Sequence, residues 1–230
     1  MSKLYLVATP IGNLEDITYR AIKILKTADV ILAEDTRKTS ILLNKYSIRK
    51  RLVSFHKFNE HQVINKVIDF LNKGTAVALV SDAGTPGISD PGYLIVRECL
   101  KMNIDIEALP GPSALIPALI LSGLPSDRFT FEGFLPVKKG RNQRLKELAG
   151  EIRTLIFYES PHRLLKTLND LSGALGRDRR AAIARELTKI HEEIIRGTLG
   201  TLAEQIENKP VKGEIVLVVE GYRTSSINHP

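Results

Sequence analysis

The sequence has one cysteine, no tryptophan and two methionines among 230 residues. A single cysteine excludes an internal disulfide framework and fits a reducing compartment. No His or Asn partner pattern accompanies Cys99, so we interpret it as a small buried hydrophobe. No stretch approaches the roughly 18 apolar residues of a membrane span, and the apolar run at residues 4–7 is too short for a signal peptide. These absences predict a cytoplasmic protein without a membrane segment.

Acidic residues are the minority among the charged ones. The 26 Asp and Glu residues face 33 Lys and Arg, which gives a formal charge of +7. Such an excess favours an anionic partner such as RNA, although many cytosolic enzymes share it. Hydrophobic residues make up 43% of the chain, too much for a disordered protein. The length allows one large domain or two small ones.

The first half alternates short β-rich runs with helical periods, which is typical of βαβ units. Residues 76–80 are apolar without alternation, as expected for a central strand buried on both faces. We therefore predict an open, mostly parallel sheet with helices on both sides, and a ligand beyond the carboxyl ends of its strands. The predicted strands are residues 4–9, 30–33, 52–55, 76–80 and 104–109, and the predicted helices are residues 14–27 and 63–71.

The second half begins again after an apolar, helical connection at residues 110–125. Its last three predicted strands have only one helix among them, so a mixed sheet is expected. The strands are predicted at residues 154–158, 180–184, 190–196 and 215–219, and the helices at residues 141–149, 161–175 and 201–208. The sequence thus predicts an α/β protein with domains at residues 1–112 and 113–223, followed by a flexible polar tail at 224–230.

The polar residues that a core does not need lie in loops after strands. In residues 8–14 a glycine-containing turn exposes backbone N–H groups before a helix that starts near Asn13, which suits an anionic ligand group. The G-x-G-x-x-G spacing is missing, so a dinucleotide site is not supported and a plain tight turn is the alternative. Residues 80–92 hold three glycines, two prolines and two aspartates after the most buried strand. A connection so long and polar is more often a binding loop than a spacer.

Two aspartates and one serine stand out in these later loops. Asp82 and Asp90 could accept hydrogen bonds from a ligand amine or ribose, or they could cap the next helix. In the third loop, residues 109–114, Ser113 can cap the following helix. No G-x-S-x-G elbow surrounds Ser113, so a nucleophilic role is not indicated.

Nine motifs in order carry a family resemblance that runs from about residue 3 to residue 222. They resemble the tetrapyrrole methylase superfamily of S-adenosylmethionine-dependent methyltransferases, and within it the branch that methylates bacterial small-subunit ribosomal RNA. The motifs are V-A-T-P-I-G-N-L-E-D-I-T (7–18), A-E-D-T-R (33–37), L-V-S-D-A-G-T-P-G-I-S-D-P-G (79–92), L-P-G-P-S-A (109–114), S-G-L-P-S-D-R-F (122–129), F-E-G-F-L-P (131–136), L-I-F-Y-E-S-P-H-R (155–163), A-R-E-L-T-K (184–189) and K-G-E-I-V-L-V-V-E-G (212–221).

This resemblance implies two α/β domains, a cofactor held in the cleft between them, and a homodimer. It implies methyl transfer from S-adenosylmethionine to the ribose 2′-hydroxyl of a cytidine in the decoding region of 16S ribosomal RNA, either as bare RNA or in the 30S subunit. No metal is expected, because the five histidines are scattered and the chemistry needs none. By position, the cofactor-binding residues would be Thr9, Pro10, Gly12, Asp82, Ala83, Thr85, Ser113 and Ala114, with Tyr158 and Ala184 as walls for the adenine.

A ribose 2′-hydroxyl is a poor nucleophile, so the enzyme must align it and help to remove its proton. We predict Glu159 and Glu186 as a group for this role, without choosing between them, and Lys189 as a further candidate. The alternative for Glu186 is an ordinary ion pair with Arg185 or Lys189.

Phosphate contacts are expected from one of three basic clusters, which could also be solvated surface. The clusters are residues 49–51, residues 177–180, and the group Lys138, Lys139, Arg141 and Arg144. We choose the last group because it follows residues 131–136, which the resemblance places near the active site. Many members of the family continue with a further basic helical segment, whereas this sequence stops at Pro230. RNA contacts are therefore expected from the two-domain body or the dimer partner.

Two other functions stay open. One is a methyltransferase of a tetrapyrrole or of a modified protein side chain, although the first loop has T-P-I-G-N instead of the G-x-G-P-G run of porphyrinoid enzymes. The other is a non-catalytic nucleotide-sensing or RNA-binding protein that kept the fold.

Overall fold

A computed structural model of the chain describes residues 3–222. The chain divides into two compact units, Met1–Ser113 and Ala114–Pro230, called unit 1 and unit 2 below. The predicted tail at residues 224–230 lies outside the described residues. Over residues 3–222, no helix combines the length and apolar character that a membrane crossing needs.

Unit 1 is a parallel sheet wound on both faces. Its five strands are β1 Lys3–Val7, β2 Val30–Ala33, β3 Arg51–Ser54, β4 Ala76–Val80 and β5 Ile106–Leu109. Its helices are α1 Tyr19–Thr27, α2 Thr36–Lys45, α3 Glu60–Asn72 and α4 Tyr93–Lys101, with a 3₁₀ turn at Leu14–Asp16. The strand order is β3-β2-β4-β1-β5, and every pairing is parallel. The predicted open parallel sheet is therefore confirmed.

The sheet of unit 1 has a separate core on each face. Ile31 and Ala78 point into the core beneath α1 and α2, whereas Leu32 and Leu79 point into the core beneath α3 and α4. Strand side chains alternate between faces, so a strand buried on both sides must be apolar at every position. All residues of β2, and all but the first of β4, are buried accordingly.

Strand positions in unit 1 agree with the predictions to within two residues at each end, but two helices were not predicted. Helix α2 buries Thr39, Leu42 and Leu43, a helical spacing that the polar residues around it obscure. Helix α4 follows directly on the glycine-rich loop. Its N-cap is Gly92 without a side-chain cap, so neither Asp82 nor Asp90 caps it.

Unit 2 contains the mixed sheet that the sequence predicts. Its strands are β6 Phe129–Gly133, β7 Thr154–Glu159, β8 Arg180–Arg185, β9 Glu193–Thr198 and β10 Ile215–Val219. Its helices are α5 Leu115–Ser122, α6 Arg141–Leu148, α7 Pro161–Leu175 and α8 Leu199–Asn208. The order is β6-β7-β10-β8-β9, and only β6 and β7 pair in parallel.

One face of the unit 2 sheet packs against α6, α7 and α8 through a single leucine-rich core, and α5 lies against β8 and β10. Strand β6 was not predicted. It is a half-buried edge strand with a register shift between Phe131 and Gly133, so its sequence lacks a clean alternation. Pro161 opens α7 and Gly176 ends it, as expected.

Candidate functional site

The loops that follow β1 and β4 are joined at the carboxyl edge of the unit 1 sheet. Thr9 and Gly84 exchange two backbone hydrogen bonds of 2.9 Å, and Thr9 Oγ1 donates to the Ser81 carbonyl at 3.0 Å. Gly84 has φ +78°, a left-handed conformation that glycine adopts without strain. Thr9 and Ser81 are both buried, so these contacts hold the two loops together beneath their exposed residues.

The loop after β5 packs against the same two loops. A Cβ atom added to Gly111 would lie 2.8 Å from the Cβ of Ala8, so only glycine allows this approach. Thr85 Oγ1 donates to the Pro112 carbonyl at 3.3 Å. Strands β4, β1 and β5 are adjacent in the sheet, and their three loops therefore form one continuous edge.

Asp82 connects this edge to the loop after β2. Its Oδ1 accepts from the Asp35 N–H at 2.9 Å, and its Oδ2 accepts from Lys38 Nζ at 2.7 Å. Its own N–H donates to Glu34 Oε2 at 3.4 Å. Each carboxylate oxygen can accept a second hydrogen bond, so Asp82 keeps capacity for a ligand.

Asp90 lies near the carboxylates of Asp82 in its own loop and of Glu34 in the loop after β2. Its pKa is raised to about 7, first because of burial and then because of the charges of Glu34 and Asp82, with a hydrogen bond to Ser81 acting in the opposite direction. Desolvation and like charges both disfavour an ionised carboxyl group. A carboxyl with such a pKa in a polar loop is the kind of group found at functional sites.

The remaining cofactor residues predicted in unit 1 lie on or next to these loops. Pro10 is buried and Gly12 is exposed, whereas Ala83 and Ser113 are half-buried. Ser113 does not cap α5 as its sequence context suggested, because the N-cap position is Ala114 and carries no side-chain cap.

In unit 2 the two predicted adenine walls share one row of the sheet. Tyr158 on β7 and Ala184 on β8 both pair with Val216 of β10, from opposite sides. Residues directly opposite each other in antiparallel strands project from the same face, so these three side chains line that face together. Two residues far apart in sequence thus lie on one face of the sheet, on either side of Val216.

Glu186 and Lys189 form a cluster with Glu214 just beyond the end of β8. Lys189 Nζ donates to Glu186 Oε1 at 2.9 Å and pairs with Glu214 Oε2 at 3.1 Å. The Lys189 hydrogen bond, followed by one from the Glu214 N–H, lowers the pKa of Glu186. Burial alone would lower the pKa of Lys189, but the bonds and charges of both glutamates outweigh it and raise that pKa. At neutral pH the cluster holds a carboxylate and an ammonium.

The backbone around Glu186 is specialised. Glu186 has φ +50°, which non-glycine residues rarely adopt and which is common at functional sites. A Cβ atom on Gly213 would lie 2.4 Å from the side chain of Glu186, so the K-G-E motif provides the space for it.

Glu159 lies in a buried framework instead of a polar opening. Its side chain is 1% exposed, and its oxygens accept from the Ser160 N–H at 2.8 Å and from Thr167 Oγ1 at 2.6 Å, beside Arg163 at 3.5 Å. Each oxygen has a partner, and a side chain that is 1% exposed is out of reach of solvent and substrate. These features argue against Glu159 as the proton acceptor and favour a structural role.

Arg141 belongs to the same framework, which corrects the prediction that it contacts RNA. The residue is 5% exposed, and its guanidinium donates to Asp170 at 2.7 Å, to the Pro136 carbonyl at 2.9 Å and to Thr167 at 2.8 Å. The surrounding small and polar residues suggested a solvated segment. A buried arginine with three partners has no free edge for a phosphate.

The other three members of this basic cluster differ among themselves. Arg144 is paired with Glu132 and donates to Glu147 at 2.8 Å. Lys138 and Lys139 are exposed on the segment before α6. The cluster therefore presents two lysines and one neutralised arginine at the surface.

Sequence reasoning missed Lys38 and the environment of Asp90. Lys38 lies in the first turn of α2, which was not predicted as a helix, so its ion pair with Asp82 could not be inferred. The N-cap pattern at Asp35, whose side chain accepts from the Arg37 N–H, was the available signal. Among the described residues, no group of three or more His, Cys, Asp or Glu side chains could hold a metal ion.

Comparisons with known proteins agree with this architecture. Residues 3–203 match the sequence family described as Tetrapyrrole (Corrin/Porphyrin) Methylases. A protein named ribosomal RNA small subunit methyltransferase I from Thermotoga maritima is 51% identical over 96% of this chain and 99% of its own length. The protein of the same name from Synechocystis sp. is 54% identical over 96% of this chain and 80% of its own length. The one from Escherichia coli O157:H7 is 50% identical over 99% of this chain and 81% of its own length.

Solved structures with the same fold are more distant in sequence. A cobalt precorrin-4 methyltransferase has a TM-score of 0.70 at 19% identity, with 95% of both chains covered. A uroporphyrin-III-C-methyltransferase from Thermus thermophilus has a TM-score of 0.68 at 20% identity, covering 96% of this chain and 94% of its own. At such identities the likeness shows the fold and no more.

Proposed function

This chain belongs to the tetrapyrrole methylase family, in the group of ribosomal RNA small subunit methyltransferase I, and from that premise we propose that it methylates a ribose 2′-hydroxyl of a cytidine in small-subunit ribosomal RNA. The methyl donor in this proposal is S-adenosylmethionine, and the cytoplasm is its location. The observation that carries the proposal is the identity of 50–54% to proteins of that name over nearly the whole chain.

The loops of unit 1 fit the polar part of S-adenosylmethionine. The close approach of Gly111 to Ala8, and the two backbone hydrogen bonds between Gly84 and Thr9, hold the three loops together at one edge of the sheet. The Asp82 carboxylate retains lone pairs for a ligand amine or ribose hydroxyl. We assign this role to Thr9, Pro10, Gly12, Asp82, Ala83, Thr85 and Ser113.

The face of unit 2 that carries Tyr158 and Ala184 fits the adenine ring, with Ala114 as a further contact. Tyr158 is half-buried and Ala184 is buried in the same row, so Tyr158 is the member of this pair with surface left for a ligand. When bound, S-adenosylmethionine supplies an electrophilic methyl group on a sulfonium, and no metal enters the proposal.

The chain itself must hold the ribose and accept the proton of its 2′-hydroxyl. Of the three predicted residues, Glu186 is our candidate acceptor because it is ionised, half-buried and held in a rare backbone conformation, while its lowered pKa makes it a weak base. Lys189 suits a positioning role because its raised pKa keeps it protonated. Glu186 follows Ala184 by two residues, so the acceptor lies close along the chain to a proposed adenine contact. Glu159 has no remaining role in this step.

The test of the proposed function is methyl transfer with purified components. With S-adenosylmethionine that carries a tritiated methyl group, we expect label in 30S subunits or bare 16S RNA, recovered as 2′-O-methylcytidine after nuclease digestion. Methylation of uroporphyrinogen instead would favour the tetrapyrrole alternative. Binding of the cofactor without transfer to any RNA would favour a non-catalytic protein.

The role of Glu186 requires its own variants. Glu186→Gln should lower kcat at least tenfold with little change in KM for RNA, whereas Glu204→Gln on the exposed surface of α8 should change neither. A kcat of Glu186→Gln within twofold of the unmodified enzyme would exclude it as proton acceptor.

We also propose a homodimer. The family resemblance implies a homodimer, and helix α5 leaves Ile116 and Ile120 exposed at helical spacing, 42% and 68% respectively. Light scattering should give twice the chain mass of 25.6 kDa. A stable monomer at micromolar concentration would contradict this.

A further inference from the structure

A cavity of about 440 Å³ opens on unit 2 at the junction of β6 and α6. Its volume is within the range of about 300–1,000 Å³ that is usual for small-molecule sites. Phe131 and Phe134 contribute aromatic walls, and α6 contributes Gln143, Arg144 and Glu147. None of these residues belongs to the proposed cofactor or proton-acceptor set.

The aromatic wall is held in place from behind. The Phe131 and Phe134 rings stand edge to face against Tyr158, with centroid distances of 4.9 Å and 5.8 Å. Phe134 is nevertheless 53% exposed. A fixed aromatic ring that remains exposed offers a stacking surface at little further entropic cost.

The polar wall is neutralised internally. Arg144 is paired with Glu132, whose side chain is 6% exposed, and Thr130 Oγ1 donates to Glu132 at 3.0 Å. Arg144 also donates to Glu147 at 2.8 Å, and Gln143 Nε2 donates to Glu147 at 3.1 Å. The guanidinium is therefore committed to carboxylates, so the cavity does not suit a phosphate. It suits a flat, neutral group that can hydrogen-bond to an amide or a carboxylate.

Positive charge lies just outside the cavity. Gly140 lines it, and the exposed Lys138 and Lys139 immediately precede Gly140 in sequence. A flat polar interior beside a cationic rim matches a nucleotide, with its base inside and its phosphate at the rim.

We propose that this cavity binds one unpaired nucleobase of the RNA substrate, stacked on Phe134 and hydrogen-bonded to Gln143 and Glu147. The inference rests on the proposed function, because it assumes an RNA substrate. The Glu147 carboxylate accepts hydrogen bonds, so bases with an exocyclic amino group are favoured over uracil.

Substitutions of Phe134 test the stacking. Phe134→Ala should weaken binding of 16S RNA about 5- to 150-fold, since stacking of one base contributes about 1–3 kcal/mol. The slope of log K against log salt should not change, because the substitution removes no charge. Phe134→Trp should retain affinity, and Tyr19→Ala, which removes an aromatic that is 95% exposed, is the matched control.

Three readouts separate this proposal from its competitors. Unchanged affinity of Phe134→Ala for 16S RNA would overturn the cavity assignment while leaving the proposed function intact. Phe134→Ala could instead weaken S-adenosylmethionine binding, measured by calorimetry, or abolish the dimer, measured by light scattering. Either result would assign the cavity to the cofactor or to the dimer interface and would overturn the nucleobase proposal. An unmodified protein that neither binds nor methylates 16S RNA would overturn the proposed function itself.

The base preference is tested with two labelled probes, a cytidine decanucleotide and a uridine decanucleotide. The unmodified protein should bind the cytidine probe more tightly, and Glu147→Ala should reduce the ratio of the two affinities at least threefold. Asn142→Ala, on an exposed neighbouring position of α6 that does not line the cavity, should leave the ratio unchanged. Equal affinities for both probes in the unmodified protein would overturn the amino-base assignment.

Discussion

Asp82 accepts a hydrogen bond of 2.9 Å from the backbone N–H of Asp35, which lies 47 residues earlier in the chain. The bond joins the loop after β4 to the start of α2. The position of the Asp82 carboxylate is therefore set by two elements and is not free to follow its own loop.

From this relationship we predict that Asp82→Ala weakens S-adenosylmethionine binding by about 1–3 kcal/mol, because the ligand loses a partly buried carboxylate acceptor that Asp35 and Lys38 hold in position. Asp82→Asn should have an affinity between those of the unmodified protein and Asp82→Ala. Its amide oxygen can still accept from the Asp35 N–H, but the side chain no longer forms an ion pair with Lys38. Titration calorimetry measures the affinities, and Lys38→Ala serves as the control for the ion pair alone. An undiminished affinity in Asp82→Ala would remove this residue from the cofactor site.

Lys138 and Lys139 should contact phosphate. The double change Lys138→Ala and Lys139→Ala should weaken 16S RNA binding and make the slope of log K against log salt shallower by up to about 0.9 for each phosphate that is no longer neutralised. Cofactor affinity should not change, because the cofactor residues are on other loops. The control is Lys23→Ala with Lys26→Ala on α1. Parallel salt slopes would indicate a solvated surface, and Arg177 to Arg180 would become the better candidates.

Arg141 should matter for stability. Arg141→Ala removes the donor to the Pro136 carbonyl and leaves Asp170 with the exposed Lys166 as its remaining partner, so we expect the free energy of unfolding to fall by about 2–4 kcal/mol. Lys166→Ala removes an exposed cation from the Asp170 carboxylate and should change the free energy of unfolding by less than about 1 kcal/mol. Urea unfolding provides the comparison. Similar values for both variants would contradict the buried framework.

The carboxyl group of Asp90 should make stability depend on pH. Its folded pKa of about 7 lies above the unfolded value near 3.8, so the folded chain binds more protons than the unfolded chain between about pH 4 and 7. Wild-type stability should therefore fall as pH rises through that window. Asp90→Asn removes this loss and should gain stability relative to wild type, on the order of 1 kcal/mol at pH 8 once solvent screening is allowed for.

The check on Asp90 is urea unfolding at several pH values. The difference in the free energy of unfolding between Asp90→Asn and wild type should grow from pH 4 to pH 8. A pH-independent difference for Asp90→Asn would mean that the folded carboxyl titrates as it does in the unfolded chain.

Much of the fold follows from the sequence, because its signals are local. The strands Val30–Ala33, Ala76–Val80 and Ile215–Val219 and the helix Pro161–Leu175 have the predicted bounds. Uninterrupted apolar runs, a proline at a helix start and a glycine at its end act within a few residues of themselves. The mixed second sheet follows as well, since too few helices are present to connect all its strands in parallel.

The chemistry of individual charged side chains depended on the tertiary structure. Arg141 meets Asp170, 29 residues away, and Glu159 meets Thr167 on the next helix, so both are buried where sequence context suggested an opening. Tyr158 and Ala184 become neighbours only through Val216. A charged residue has the same local pattern whether it faces water or a partner, because its energy is set by groups that other parts of the chain bring to it.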